Sequence, residues 1–408
     1  MNFQRAYRLR PIEAKADDFI AQLRIGASAG RQSVLLPYAI DLSYFVVPTS
    51  GTDVSIEAKH FRLKKLGLPA SLWVRLRLAL LFKKKKYLRF EGYSIFSVGP
   101  KPQRKRFTTF NQHMFNIGVS LDGDLIAAHP ELLDGWADNA AARAPARHAG
   151  PSATAIVVHI YYEETWADIA GVLKRLTIPF DLIVTTVGGR GGLVEAIRRD
   201  FPDASIEAME NRGRDVRPFL VLLEKGRLDR YRYVCKVHGK KSSDGGRKPY
   251  MGAIWRRRLL FDLLAAPGLA ASILDMFERD PSVGMIGPRA FRLPSETYSE
   301  ELSWSVNRET VLELAWKMGV PAEAFRLDFF GGTMFWVRPE ALAPLRKLEL
   351  SDAFSEEKGQ LDGELGHAVE RLFGAAVVAA GYRLADSDGF GAARGELGAT
   401  GAVRTGLG

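Results

Sequence analysis

Four apolar runs alternate with stretches of helical spacing between residues 155 and 237, and this alternation restricts the chain more than any other feature. Residues 155–160, Ala-Ile-Val-Val-His-Ile, are rich in β-branched side chains, as in a strand buried on both faces. Trp166, Ile169, Ala170, Leu173 and Leu176 follow at the spacing of one helix face. Pro179 ends that unit, and 180–186 reads as a second buried strand. The pattern then predicts a helix over 195–201, a strand over 204–209, a short helix over 216–224 closed by Gly226, and a fourth strand over 231–237. A βαβαβαβ order implies a mostly parallel sheet with helices on both faces, because parallel neighbours need crossover connections. The expected fold class is α/β of the Rossmann type.

The downstream pattern continues this domain. Residues 254–279 read as two helices separated at Ala266-Pro-Gly268, and 282–288 as a strand and turn. Residues 329–338 form an aromatic strand broken at Gly331-Gly332. Residues 361–373 are largely helix, with Leu361, Leu365, Ala368, Val369 and Leu372 as the inner stripe. The expected domain runs over 153–388, with 389–408 a disordered tail rich in Gly, Ala and Thr.

Residues 1–150 are expected to form an additional, less regular region. Short strands ended by proline fit 32–37 and 43–48, and an Ala/Pro/Gly-rich linker fits 137–151. Charge is concentrated here. Residues 60–106 hold fourteen Lys/Arg against one acid, Glu91, so a chain of net charge +10 is close to −3 elsewhere. Within that segment, Leu72-Trp-Val-Arg-Leu-Arg-Leu-Ala-Leu-Leu-Phe82 precedes four lysines, Lys83 to Lys86. The apolar part is too short to span a bilayer, which takes roughly 20 residues. It suits a segment lying at an anionic membrane surface, or a core helix with a solvated basic end. Nucleic acid is not expected as a partner, because no binding motif or aromatic-and-basic interleaving accompanies the charge. The one cysteine, Cys235, excludes an intrachain disulfide and a cysteine metal cluster and fits a reducing compartment. The first residues lack the apolar core of a secretory signal, and no uncharged apolar run reaches ~18 residues. A cytoplasmic protein, peripheral at the inner membrane, is the expectation.

Several stretches taken together resemble the rhamnan synthesis protein F family. They are His159-Ile-Tyr-Tyr162, Glu210-Asn-Arg-Gly-Arg-Asp-Val216, Cys235-Lys-Val-His-Gly-Lys-Lys-Ser242, Gly284-Met-Ile-Gly-Pro288, Gly332-Thr-Met-Phe-Trp-Val-Arg-Pro-Glu-Ala341 and Gln360-Leu-Asp-Gly-Glu-Leu-Gly-His-Ala-Val-Glu-Arg371. The resemblance covers 155–385. It implies a glycosyltransferase of O-antigen or cell-wall polysaccharide, with a nucleotide-sugar donor and a GT-A arrangement in which Asp362 holds the position of the catalytic base. Two departures stand out. GT-A enzymes commonly hold Mg or Mn on an Asp-x-Asp at the fourth strand end, where this chain has Lys236-Val-His238. Its Asp-x-Asp matches, Asp122-Gly-Asp124 and Asp386-Ser-Asp388, lie elsewhere, which leaves a divalent metal cofactor open. The other departure is Arg217, where the family more often carries glycine; a local loop adjustment is expected.

In sheets of this kind ligands sit beyond the carboxyl ends of the strands. Lys236, His238, Lys240 and Lys241 could neutralise a leaving diphosphate as point charges, with Gly239 letting backbone approach. The alternative is an ordinary lysine-rich surface loop. Lys236 lies on the strand itself, where an unpaired ammonium would be costly. Asn211, Arg214 and Asp215 are donor candidates, although Asp215 is also a good N-cap for the helix that follows. His159 and Tyr161 close the first strand, and Tyr161 could stack on a nucleobase or pack in the core. Gly332, Thr333, Phe335 and Trp336 could line an acceptor site, or form a sheet core with a bulge at the glycines. His367, Glu370 and Arg371 share a helix face, at the site or as a solvated stripe. Asp362 and Glu364 both precede that helix; Asp362 is the stronger base candidate, N-capping being its other role. Trp255 and Arg256 to Arg258 could approach an anionic acceptor.

No Walker A, His-Glu-x-x-His or Gly-x-Gly-x-x-Gly occurs. Gly26-Ala-Ser-Ala-Gly30 fits Gly-x-Ser-x-Gly but follows a stretch that reads as helix, not the strand a nucleophile elbow requires. The function expected is glycosyl transfer from a nucleotide sugar, dTDP-rhamnose first, to a lipid-linked, growing surface glycan. The competing class is a non-catalytic carbohydrate-binding or assembly protein that keeps the fold.

Overall fold

The computed structural model describes residues 4–15, 20–27, 30–49, 51–81, 86–90, 92–105, 107–108, 152–239, 249–265, 268–295, 298–356 and 363–387. The expected linker at 137–151 and the expected tail at 389–408 lie outside them. The chain divides into two compact units, residues 1–139 with 240–258, and residues 140–239 with 259–408.

The first unit is more regular than its sequence suggests. Strands β1 (Tyr7–Pro11), β2 (Ile20–Ala27), β3 (Gly30–Pro37), β4 (Ser43–Pro48), β5 (Ser55–Glu57), β6 (Phe61–Lys65), β7 (Tyr87–Phe90) and β8 (Tyr93–Val98) build two antiparallel sheets. One has the order β6-β1-β4-β8-β7 and the other β3-β2-β5. The helix-like reading ahead of Gly26 is corrected: β2 and β3 pair from Ile20↔Pro37 to Ala27↔Gly30, and Ser28 lies outside the described residues. Ala21, Leu23 and Ile25 are buried at a period of two, the strand periodicity, and join Leu9, Leu36, Tyr44, Tyr93 and Ile95 in one core. Helix α1 (Leu68–Ala79) lies between β6 and β7 in the chain.

The second unit holds the expected α/β domain. Strands β9 (Thr154–Ile160), β10 (Asp181–Val187), β11 (Ser205–Met209) and β12 (Tyr233–His238) alternate with helices α2 (Trp166–Leu173), α3 (Gly191–Asp200) and α4 (Val216–Glu224). Beyond them in the chain lie α5 (Pro249–Leu260), which belongs to the first unit as far as Arg258, and then α6 (Leu269–Arg279), β13 (Val283–Gly287), β14 (Arg292–Leu293), α7 (Glu300–Trp304), α8 (Arg308–Lys317), β15 (Phe329–Phe330), β16 (Phe335–Val337), α9 (Ala343–Arg346), α10 (Leu365–Ala379) and β17 (Arg383–Asp386). The main sheet has seven strands in the order β11-β10-β9-β12-β16-β13-β17. β9 to β12 are mutually parallel, and β16 runs antiparallel to both β12 and β13. The 329–338 stretch is split, because the Gly331-Gly332-Thr333 turn separates β15 from β16.

Side chains alternate between faces along each strand, so Val234, Lys236 and His238 share one face of β12. That face packs under α4 and α10, where Phe219, Phe335 and Phe373 meet with ring centroids 5.0 to 6.1 Å apart. Burying one such ring contributes about 1.5–3 kcal/mol. No single helix among the described residues is long and apolar enough to cross a membrane.

Candidate functional site

The parallel register sets the site. Thr185 pairs with His159, and His159 with His238, so three polar side chains line up across β10, β9 and β12 at their carboxyl ends. His159 Nδ1 and the Thr185 hydroxyl share a 3.0 Å hydrogen bond. Two residues inward on the same face of β12, Lys236 is 2% exposed. Its ammonium donates to Asp215 Oδ2 at 2.6 Å, to the Thr333 carbonyl at 2.8 Å and to the Thr333 hydroxyl at 3.1 Å. Three donors meet three acceptors, which is how a buried ammonium is retained. The Thr333 hydroxyl donates in turn to Asp215 Oδ2.

Lys236 is therefore not a free phosphate ligand. It ties the loop ahead of α4 to the turn ahead of β16. Asp215 occupies the N-cap position of α4, but its side chain makes no capping bond there and is spent on Lys236 and Thr333. Burial alone would raise the Asp215 carboxyl; the charges of His238 and Lys236, with hydrogen bonds from Lys236 and Thr333, hold it well below the usual carboxylate range.

The turn is clamped from both sides. His238 Nε2 lies 2.8 Å from the Gly332 carbonyl, which can only accept, so that nitrogen carries a proton. The Gly332 amide donates to Glu370 Oε1 at 2.6 Å. Gly332 and Thr333 both have positive φ, 92° and 51°. Arg214, a second non-glycine residue with positive φ (52°), sits in the facing loop. At Thr333 and Arg214 such backbone costs of order 1–3 kcal/mol per residue and persists where surrounding contacts enforce it. Gly213 beside it is obligatory: its φ is +60°, and a Cβ there would lie 2.3 Å from the Phe354 ring.

At the rim, Arg214 is exposed. Its Nη1 lies 3.0 Å from His367 Nε2 and its Nη2 3.3 Å from Glu364 Oε2. Glu364 caps α10 in a capping box with His367. The helix thus begins later than expected, and the N-cap is Glu364, not Asp362. Asn211 is exposed on the same loop. The Arg190 guanidinium lies 5.0 Å over the Tyr161 ring, at the end of β9.

Residues named for the donor (Asp215, Lys236, His238) and for the acceptor (Gly332, Thr333, Glu370) therefore form one network, with Arg214 and His367 joined beside it. Others fall elsewhere. Phe335 and Trp336 are core residues, 1% and 0% exposed, and the Trp336 indole donates to the Leu263 carbonyl. Their place on the central strand β16 removes them from any acceptor surface. Arg371 is buried, donating to the Ser303 and His367 carbonyls, so it is no solvated stripe. Arg256 and Arg258 are buried as well. Arg217 donates to the Ser351 carbonyl and Glu210, a tether from α4 to the segment at 350–353 and not a loop adjustment. Asp362, Lys240, Lys241 and Asp122-Gly-Asp124 lie outside the described residues. Asp386 lies 3.5 Å from Arg292. Among the described residues no three His, Cys, Asp or Glu side chains are grouped to hold a metal ion. Thr185, at the polar end of the second strand, was expected at this edge without a role of its own, and Arg190 was missed. The signal for Arg190 was position, just past the second strand.

Burial pulls His159 down to about 4 from 6.5, with Asp215 opposing and Lys236 adding to the shift. Between these values the unfolded chain takes up a proton that folded His159 refuses, so stability falls as pH falls. The expected loss from pH 7 to pH 5 is about 2 kcal/mol, read as a lower urea midpoint, and His159→Asn should flatten it. Asp215 adds a second loss only below about pH 4, because its folded value lies beneath the unfolded one. A midpoint that does not change between pH 7 and pH 5 would contradict a buried neutral His159.

Comparison with known proteins completes the picture. Residues 137–382 match the model of the family described as rhamnan synthesis protein F. The chain is 31% identical over 271 residues to the uncharacterized protein WxcX of Xanthomonas campestris pv. campestris strain B100, covering 64% of this chain and 37% of that one. The WxcX protein of strain ATCC 33913 matches at the same identity and coverage. The chain thus spans little more than a third of the length of these curated relatives. A match across more than half of its residues establishes that the chain belongs to the rhamnan synthesis protein F family.

Proposed function

We propose that the second unit is a glycosyltransferase of bacterial polysaccharide synthesis, using a nucleotide-activated deoxysugar, with dTDP-rhamnose the first candidate, and a growing lipid-linked glycan. Family membership supports polysaccharide biosynthesis as the setting. The observation that carries the reading is the polar network at the carboxyl ends of β9 and β12, the edge at which open α/β sheets take ligands. In this reading the inner charges are structural. Lys236, Asp215, His238 and Glu370 fix the Gly332-Thr333 turn and the 211–215 loop in one geometry, as a transfer site requires. The diphosphate is met at the rim by Arg214, a guanidinium suited to bidentate phosphate contact, and Lys240 and Lys241, which follow β12 in the sequence, are further candidates. Asp362, which precedes α10 in the sequence, takes the acceptor proton.

The donor half of this reading is tested by calorimetric titration of dTDP into the purified protein. Arg214→Ala is expected to weaken binding about tenfold or more, the loss of a charge-assisted hydrogen bond. Unchanged affinity would remove Arg214 from the donor site. One observation favours the runner-up, a carbohydrate-binding or assembly protein. The fourth strand end, where the GT-A arrangement would carry metal-binding carboxylates, holds Lys236 instead, and the Asp215 carboxylate that meets it from the loop ahead of α4 is already paired with it.

A further inference from the structure

The first unit presents a surface that glycosyl transfer does not use. Helix α1 is apolar on two opposite faces. Its inner face sets Ser71, Val74 and Leu78 against Phe45, Val47 and Phe96, and the Ser71 hydroxyl accepts from the Ala6 amide at 3.0 Å. Its outer face carries Leu68, Leu72, Leu76 and Leu80, each four residues on, with Trp73 beside them; all five are 47–63% exposed. A scattered exposed leucine needs no explanation, but five large apolar side chains on one face of one helix do. A helix apolar all round belongs in a core or a membrane, and this one is half out of its own core.

We infer that the outer face of α1 docks on an anionic lipid bilayer, lying in the plane of its surface. Charge selects this partner. The helix has no acidic residue. Arg77 flanks the apolar face with its guanidinium 5.0 Å over the Trp73 ring. Immediately before the helix, the edge strand β6 exposes Arg62, Lys64 and Lys65, and Lys83 to Lys86 follow it in sequence. A second copy of the chain would bring the same positive charge against this face. A nucleic acid would meet the cations but leave the leucines in water. An anionic bilayer satisfies both: headgroups take the Lys/Arg tips while Leu and Trp enter the acyl boundary. At 12 residues the helix is about 18 Å long, too short to span.

The test is flotation of the full chain with phosphatidylglycerol–phosphatidylcholine vesicles and with pure phosphatidylcholine vesicles. Binding is expected to the first and to fall steeply on the second. Leu72→Ser/Leu76→Ser should lower the partition constant about tenfold with an unchanged circular dichroism spectrum. Independently, Arg62→Gln/Lys64→Gln/Lys65→Gln should lower it about a hundredfold and reduce its salt dependence. No flotation with anionic vesicles would overturn the inference, as would flotation that the leucine variant leaves intact. A vesicle-free dimer that the leucine variant dissolves would assign the face to a second copy instead.

Discussion

Lys236→Met is expected to cost about 3–5 kcal/mol of folding stability, the loss that follows when one partner of a buried ion pair is removed. The variant keeps the length of the side chain and its packing between Phe219 and Phe335, over which the ammonium sits at 5.7 and 5.9 Å. It leaves the Asp215 carboxylate, 14% exposed, with Thr333 as its remaining donor in the network. It also leaves the Thr333 carbonyl without its Lys236 donor. The double variant Lys236→Met/Asp215→Leu should recover at least half of the loss, because a desolvated pair replaced by apolar groups is close to neutral. Urea midpoints of the transition of the second unit measure both. A single variant that loses under about 1 kcal/mol would mean that Lys236 is solvated and available to a ligand after all.

Asp362→Asn carries the largest expected effect on activity. Transfer should fall about 10²–10⁴-fold, the usual contribution of a general base, with dTDP affinity unchanged. The competing role for Asp362, capping the last long helix, is already filled. Glu364 is the N-cap of α10 and is held by Arg214 and His367. An effect of Asp362→Asn on rate with no change in the urea midpoint would separate chemistry from capping. A near-normal rate would remove Asp362 from the mechanism, and Glu364→Gln is then the variant to compare.

The second unit was legible because its signal is local. Mainly apolar runs of six or seven residues separated by helical spacing leave few alternatives to a parallel sheet, and β9, β10, β11 and β12 lie where the runs lie. The edge that carries polar residues followed from the strand direction alone. What the sequence could not give was partnership. Lys236 and Thr333 are 97 residues apart, and neither shows by itself that one holds the other. An apolar strand residue next to a glycine pair reads equally well as core or as sugar platform, so Phe335 and Trp336 were open until β16 was found at the centre of the sheet. The first unit was obscure for a related reason. Its antiparallel strands are short, and along β2 the buried Ala21, Leu23 and Ile25 alternate with Gln22 and Arg24, which blur the apolar pattern. The basic segment was visible as composition. That its leucines point away from the core is a property of how α1 packs.

The central claim, that this chain transfers sugar from a nucleotide donor at the carboxyl ends of β9 and β12, is tested most directly by one measurement. The purified protein is incubated with labelled dTDP-rhamnose and a lipid-linked glycan acceptor, with and without EDTA. The account predicts label in the glycan in both conditions, because cationic side chains meet the diphosphate. Nucleotide binding without turnover of any dTDP or UDP sugar would contradict it and assign the chain to carbohydrate binding or assembly.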